Sequence, residues 1–268
     1  MSYTFFISQT LEKASQFANQ SFGKVTGTTK TDDNNQVLTE TDLEIGHHIV
    51  GQISTHYPDH NIIDEEAGVI DKNSEFTWVV DPIDGTSNFA NGIPTYGIMI
   101  GLLHKDQPIA GGVALPLFRE IYTAEKGRGA QKNGVPIHVT SQHNLLSTLV
   151  AYGIDGHQEA PQMTIEECSL LAQIILNVRN LRSSNSAFDV AMLAVGNYGG
   201  SLNRTSKIWD NIAPHILVEE AGGKYTDFFG QPMNYQHAVK RSEENFTFCA
   251  APQPLHEQLQ KIIREHTG

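Results

Sequence analysis

The sequence predicts a mixed fold of helices and strands, on three observations. Apolar residues recur at helical spacing in several stretches, a meander of short apolar runs fills residues 96–137, and acidic residues gather where apolar runs end. At 268 residues the chain can build one large domain or two interlocked halves. Its composition, 39% hydrophobic and 18% charged with no segment dominated by Gly, Pro or Gln, is that of a globular protein. The 30 Asp+Glu outnumber the 18 Lys+Arg for a formal charge of −12, which argues against nonspecific binding to nucleic acid or an anionic membrane. No stretch approaches the ~18 apolar residues of a spanning helix, and residues 1–10 lack the basic region of a secretory signal. Cys168 and Cys249 are the only cysteines, too few for a disulfide framework or a zinc site, so the expected compartment is the reducing cytoplasm.

Each element follows from its own pattern. Residues 4–20 carry Phe6, Leu11, Ala14, Phe17 and Ala18 at helical spacing and predict an opening amphipathic helix. Residues 24–36 are polar without a period, the composition of a loop or mobile lid. A second helical pattern follows Thr39-Glu-Thr-Asp42 through Leu43, Ile45, Ile49 and Ile53 and stops at Tyr57-Pro58, with Thr41 or Asp42 placed to cap it. Residues 60–68 predict a short buried strand whose acids emerge at its C-terminal end, the position ligands favour in open α/β sheets. Phe76 to Val80 form a second strand that delivers Asp81 to the same place.

Gly97 to Leu103, Ile109 to Ala114 and Ile121 to Ala124 read as antiparallel strands, and Asn133-Gly134 as a hairpin turn, because both residues tolerate positive φ. Residues 147–153 predict a strand, 163–176 a helix, and 177–181 a strand. Ser183 to Asp189 form a serine-rich entry into a helix with Ala187, Val190, Ala191 and Ala194 on its apolar face, a unit closed by Gly199-Gly200. Asp210 stands at the start of a further helix with Ile212, Ala213, Ile216 and Leu217 as its buried stripe, Pro214 in its first turn and Gly222 as its left-handed cap. By itself Asp210 is also a good helix N-cap. Strand, loop, strand and an amphipathic helix around Leu255 to Ile263 follow.

The stretch from Trp78 to Phe89 concentrates the chemistry. Asp81 and Asp84 stand three residues apart, and Pro82 between them fixes φ and holds Asp81 extended. A helix starting at Gly85-Thr86 would turn free backbone N–H groups toward an anion beside carboxylates suited to a cation. With Glu65 or Glu66 and Asp210, four acids stand near element ends without a His/Cys cluster. Hard oxygen ligands suit Mg²⁺ or Mn²⁺ rather than zinc. Gathered without a cation, these carboxylates would raise one another's pKa values; the plain alternative is a set of acids that merely cap helices. The twelve histidines show no Ser/His/Asp spacing and are read as surface or core residues.

Trp78-Val-Val-Asp-Pro-Ile-Asp-Gly-Thr-Ser-Asn-Phe89, Trp209-Asp210 through Glu220-Ala-Gly-Gly223, Glu65-Glu66, Thr39-Glu-Thr-Asp42, Lys126-Gly-Arg-Gly-Ala and Asn133-Gly134 recur in the order of one family. The chain closely resembles the inositol monophosphatase family of metal-dependent, lithium-sensitive sugar-phosphate phosphatases. The resemblance implies an α+β fold, a layered αβαβα sandwich of the inositol monophosphatase and fructose-1,6-bisphosphatase type. It implies a single domain over 1–268 of two interlocked subdomains, about 1–145 with the first metal motif and about 146–268 with Asp210. It also implies roles. Glu65 binds the first and third Mg²⁺, Asp81 bridges the first and second, the Ile83 carbonyl ligates the first, and Asp84 and Asp210 hold the second. The Gly85 and Thr86 amides receive the phosphate, and Thr86 paired with Asp42 orients or deprotonates the attacking water, so that Asp42, Thr86 and Glu65 are the expected catalytic residues. Asp84, Asn203 and Asp210 contact the substrate. Implied with them are two or three Mg²⁺ ions, Mn²⁺ as substitute, inhibition by Li⁺, a small phosphorylated polyol or sugar as substrate, and a homodimer; from the charge balance, no nucleic-acid or membrane partner is expected.

Three departures bear on the substrate. Asp64 stands where the family usually has glycine, Asn203 where animal members carry a substrate-contacting glutamate, and Asn185 where glycine is usual before Ser186-Ala187. An inositol 1-phosphate-like ester is expected. Histidinol phosphate, fructose 1,6-bisphosphate and 3′-phosphoadenosine 5′-phosphate are the alternatives, and the loop after Tyr152 carries no signature to separate them. A regulatory or scaffold protein on the same fold is the alternative from another class.

Overall fold

The computed structural model describes residues 2–30 and 33–267. The first part of the chain forms α1 (Tyr3–Ser21), β1 (Thr28–Lys30), β2 (Asp33–Leu38), α2 (Glu40–His56), β3 (Asn61–Asp64), β4 (Gly68–Ile70), β5 (Phe76–Asp84), α3 (Thr86–Ala90), β6 (Gly97–His104), β7 (Gln107–Leu115), β8 (Glu120–Glu125), β9 (Ala130–Lys132) and β10 (Val135–Ile137). The rest forms β11 (Leu149–Gly153), α4 (Pro161–Asn177), β12 (Asn180–Arg182), α5 (Ala187–Ala194), β13 (Gly200–Asn203), α6 (Ile212–Glu220), β14 (Lys224–Thr226), β15 (Phe248–Ala251) and α7 (Gln253–His266).

Two sheets carry the fold. One has eight strands in the order β10-β9-β8-β7-β6-β5-β3-β4, antiparallel except for the parallel pair β3 and β5. The other has five in the order β12-β11-β13-β15-β14, with β11 parallel to both its neighbours. Helices cover both faces of the first sheet, which explains why β6 reads Gly-Ile-Met-Ile-Gly-Leu-Leu-His without polar alternation. Its Ile98, Ile100 and Leu102 pack with Ile7 and Leu11 of α1 and Ile45 and Ile49 of α2. Met99, on the opposite face, packs with Ala187 of α5 and Ala213 and Ile216 of α6. The second sheet lies across α5 and α6 through Ala151, Tyr225 and Phe248, and its far face is covered by Leu170 of α4 and Leu255 and Leu259 of α7. The order is therefore helices, sheet, helices, sheet, helices, the αβαβα sandwich expected.

Two local features differ from expectation, and one turn matches it. The polar residues 24–36 contain β1 and most of β2, an antiparallel pair, so no apolar period announces it within that stretch. Thr31 and Asp32, within that stretch, lie outside the described residues. β4 folds back on β3 and is too short and too little buried to leave a pattern. The Asn133-Gly134 turn has the expected left-handed backbone, φ 49° and 78°.

The closing stretch of α6 explains a second motif. Glu220 accepts hydrogen bonds from the Gly127 and Gly129 amides at 2.8 and 2.7 Å, tying the Lys126–Ala130 turn to the helix end, and Gly222 (φ 90°) follows the cap residue Ala221.

His256 of α7 is buried with Nε2 2.8 Å from the Thr226 hydroxyl of β14. Burial first, and Lys224 second, push its pKa down to about 4. An unfolded chain therefore binds this proton before the folded one does. The stability it supports is complete above the ordinary imidazole pKa, about 6.5, and is lost as pH falls toward 4. Urea midpoints at pH 7 and pH 5 are expected to fall further for the parent than for His256→Gln; equal falls would remove His256 from the account.

Candidate metal and phosphate site

In a regular strand Asp81 and Asp84, an odd number of residues apart, would point to opposite faces. β5 is irregular there: its register against β6 shifts between Asp81 and Asp84, around the donor-less Pro82. The shift brings both acids to one side. Asp210 joins them from the turn ahead of α6, and one carboxylate oxygen of each lies within 4.8 Å of the others. The capping alternative for Asp210 does not hold for α6, whose N-cap is Asn211; its carboxylate instead accepts from the Lys207 amide at 2.5 Å.

Electrostatics mark this cluster as unfinished. Asp81 is buried, and its Oδ1 has no partner. Burial, followed by repulsion from Glu65, Asp84 and Asp210, holds the Asp81 carboxyl well above the usual range. Asp84 is raised likewise by burial, Asp210 and Glu65, while Asp210 is pushed to about 6, again chiefly by burial. Of the neighbouring glutamates it is Glu65 whose charge acts on Asp81 and Asp84; that of Glu66 acts on Asp42 and Asp64. A hard divalent cation fits this donor set. It would replace the missing partner of Asp81 Oδ1 and offset the repulsion, with oxygens of the kind Mg²⁺ and Mn²⁺ prefer.

Beside the cluster, Gly85 has φ 88°, a left-handed backbone that turns β5 into α3. α3 is only one turn long, so what it offers an anion is free amides rather than a sizeable macrodipole. The Thr86 hydroxyl lies 2.8 Å from the Ile83 carbonyl oxygen and 3.2 Å from Asp42 Oδ1. Asp42 does two jobs at once. Its other oxygen closes the capping box of α2, accepting from the Thr39 amide at 2.9 Å and from the Thr39 hydroxyl. Burial still lifts its pKa to about 6.

The entry to α5 completes the site. The Ala187 amide donates to Asp84, and Asn88 donates to the Thr95 and Ser184 carbonyls at 2.7 and 2.8 Å. The surrounding cavity of about 900 Å³ is lined by Glu65, Asp81, Asp84, Thr86 and Asp210 on one side and by Asn185 and Asn203 on another. Asp42 reaches it only through Thr86. Asp64, the unassigned acid, closes its own turn by accepting from the Glu66 and Ala67 amides and does not line the cavity. Sequence reading missed Asp155, which lines the cavity from the loop after Tyr152. Its one signal was position, just beyond the C-terminal end of a predicted strand.

The model of the inositol monophosphatase family matches residues 2–267. Among similar proteins, the fructose-1,6-bisphosphatase/inositol-1-monophosphatase of Aquifex aeolicus is 34% identical over 188 residues, 68% of this chain and 69% of the relative. The Nus factor SuhB of Pasteurella multocida is 32% identical over 230 residues, 85% and 83% of the two chains. The Thermotoga maritima IMPase structure superposes with TM-score 0.87 at 27% identity, covering 100% of this chain and 98% of that one. That of the inositol monophosphatase from Anabaena does so with TM-score 0.83 at 26%, covering 98% and 96%. With its motifs, layers and acid cluster all accounted for, the chain belongs to the inositol monophosphatase family and is a phosphoric monoester hydrolase.

Proposed function

We propose that the chain hydrolyses the phosphate monoester of a small polyol or sugar, inositol 1-phosphate or a close analogue, in a Mg²⁺-dependent reaction. The observation that carries this reading is the convergence of Asp81, Asp84 and Asp210, from two distant parts of the chain, beside the left-handed Gly85 turn. Glu65, Asp81, the Ile83 carbonyl, Asp84 and Asp210 would hold two or three ions, with Mn²⁺ as substitute and Li⁺ as inhibitor. When bound, the metal neutralises phosphoryl oxygens and lowers the pKa of the attacking water. The Gly85 and Thr86 amides hold the phosphate. Thr86 orients the water, and Asp42, with a pKa near 6, receives the proton passed through the Thr86 hydroxyl. Asp84, Asn203 and Asp210 would contact the alcohol part.

A monophosphate is favoured over a bisphosphate by the cavity wall. Among the described residues lining it, Lys207 and His157 are the basic ones, and the Lys207 ammonium donates to the Glu243 carbonyl. A second phosphate would find no arginine fork there. The two sheets are read as two interlocked subdomains meeting at the site, about 1–145 and 146–268, and the chain as a cytoplasmic homodimer. No helix among the described residues is long and apolar enough to cross a membrane. Phosphate release should be fastest from inositol 1-phosphate or another polyol monophosphate and suppressed by Li⁺. Faster release from fructose 1,6-bisphosphate, histidinol phosphate or 3′-phosphoadenosine 5′-phosphate would replace the substrate assignment.

A second, regulatory role is favoured by relatives named Nus factor SuhB, such as that of Pasteurella multocida. A pull-down with the full chain that finds no stable partner removes its support.

A further inference from the structure

Four polar side chains close into a ring on the cavity wall beyond the acid cluster. Asp155 Oδ1 accepts from Asn185 Nδ2 at 2.9 Å, and Asp155 Oδ2 from the Thr205 hydroxyl at 2.6 Å. Asn203 Oδ1 accepts from the Thr205 amide at 2.7 Å, and Asn203 Nδ2 lies 3.4 Å from Asn185 Oδ1. All four residues line the cavity. They come from three separate segments: the loop between β11 and α4, the entry to α5, and the end of β13 with its following turn.

Each corner is held from behind. Asn185 has a left-handed backbone, φ 51°, and its amide and that of Ser184 both donate to Asp189 Oδ2 at 3.1 Å. Asn203 pairs with Gly153 across β13 and β11, where a Cβ at 153 would lie 2.5 Å from Asn185 Oδ1 and 2.6 Å from Asn203 Nδ2. The loop carrying Asp155 is anchored through His157, whose amide donates to Thr164 at 2.7 Å and whose ring lies 3.7 Å from buried Glu167.

A side-chain amide offers an oxygen on one side and an NH₂ on the other, and alone it has little reason to choose between the two orientations. Asp155, when ionised, only accepts. It therefore draws the NH₂ of Asn185 toward itself and turns the Asn185 oxygen to the Asn203 NH₂, while the Thr205 amide, a donor only, holds the Asn203 oxygen. Asp155 sets the polarity of the Asn185 amide directly, and it reaches Asn203 through the Thr205 hydroxyl, which also lies 3.1 Å from Asn203 Oδ1.

We propose that Asp155 is a positioning residue for substrate specificity, orienting the Asn185 amide and, together with Thr205, the Asn203 amide into a single donor and acceptor pattern that reads the hydroxyl groups of a polyol phosphate. The proposal rests on the phosphomonoesterase reading above and deepens it. The ring is neutral apart from Asp155, so it suits an uncharged polyhydroxyl group rather than a second phosphate.

The test compares myo-inositol 1-phosphate with phenyl phosphate, which has no hydroxyl groups to read. Asp155→Ala is expected to raise KM for the inositol ester ~10-fold with kcat within ~2-fold, the signature of lost uniform binding, and to leave kcat/KM for phenyl phosphate within ~2-fold. Thr205→Val, of nearly unchanged size, should raise KM for the inositol ester ~3-fold in the same selective way, and the double variant should be no worse than Asp155→Ala because the residues act as a unit. Asp155→Asn keeps the shape without the acceptor-only character and should fall between Asp155→Ala and the parent. Equal losses on both esters mean a merely structural role and overturn the proposal, as does no change on either. If Asp155→Ala does not fold, Thr205→Val decides by the same criterion. A parent that cleaves phenyl phosphate but shows no preference for the inositol ester overturns this proposal alone; a parent that cleaves neither overturns the phosphomonoesterase reading and this proposal with it.

Discussion

Asp84→Asn is expected to lower Mg²⁺-dependent phosphate release by about a thousandfold or more while making the metal-free protein more stable. The loss follows from removing one of the three clustered carboxylates, the kind of change that costs roughly 4 kcal/mol of transition-state stabilisation where a metal does the charge neutralisation. The gain follows from the burial, and after it the repulsion from Asp210 and Glu65, that raise the Asp84 pKa. A carboxyl whose folded pKa is raised supports the fold below its unfolded pKa, about 4, and costs stability as pH rises through the folded value. Asparagine carries no such cost at pH 7, and its oxygen can still accept from the Ala187 amide that now serves Asp84. Relief of about 1–2 kcal/mol corresponds to a Tm rise of roughly 3–6 °C in EDTA at neutral pH. Added Mg²⁺ should raise the Tm of the parent and not that of the variant. A variant less stable than the parent in EDTA would mean that Asp84 is a structural acid.

Gly101→Val is expected to weaken Mg²⁺ binding without touching any ligand. Gly101 lies in the middle of β6, directly under α6: a Cβ there would sit 2.6 Å from Ile212 Cγ2 and 2.9 Å from the Ala213 amide nitrogen. The second of these is backbone and cannot rotate away. Valine must therefore push the helix off the sheet, an overpacking cost of about 3 kcal/mol or more, or a Tm loss of roughly 6–12 °C. Asp210 stands two residues ahead of α6, so the same displacement moves it away from Asp81 and Asp84. Calorimetric titration is expected to show Mg²⁺ affinity at least ~10-fold weaker, because a cluster assembled from two layers tolerates little misplacement. Unchanged affinity in a destabilised but folded variant would show that Asp210 is positioned independently of α6.

What could be read from the sequence follows physical range. The strand and helix periods of β6, α1 and α6 are local consequences of which faces are buried, and they were legible. So were Asp81 and Asp84 as a pair, since Pro82 and Gly85 shape the chain between and after them. That the two acids face one way was not legible, because it depends on a register shift against β6. The β1–β2 hairpin was missed because β1 and the first four residues of β2 are polar and leave no hydrophobic signal. The helix-cap reading of Asp42 holds, and its geometry leaves room for the other: one carboxylate oxygen serves Thr39 and the other faces Thr86. Asp155 stayed hidden because its partners Asn185 and Thr205 lie in two other segments. The resemblance bridged what local reading could not, the joining of Asp210 to a cluster far earlier in the chain.

The most direct test is phosphate release from inositol 1-phosphate by purified chain, first in EDTA and then after dialysis into Mg²⁺. Cation-dependent hydrolysis at the Asp81, Asp84 and Asp210 cluster requires no release in EDTA and full recovery with Mg²⁺. Undiminished release in EDTA would contradict it.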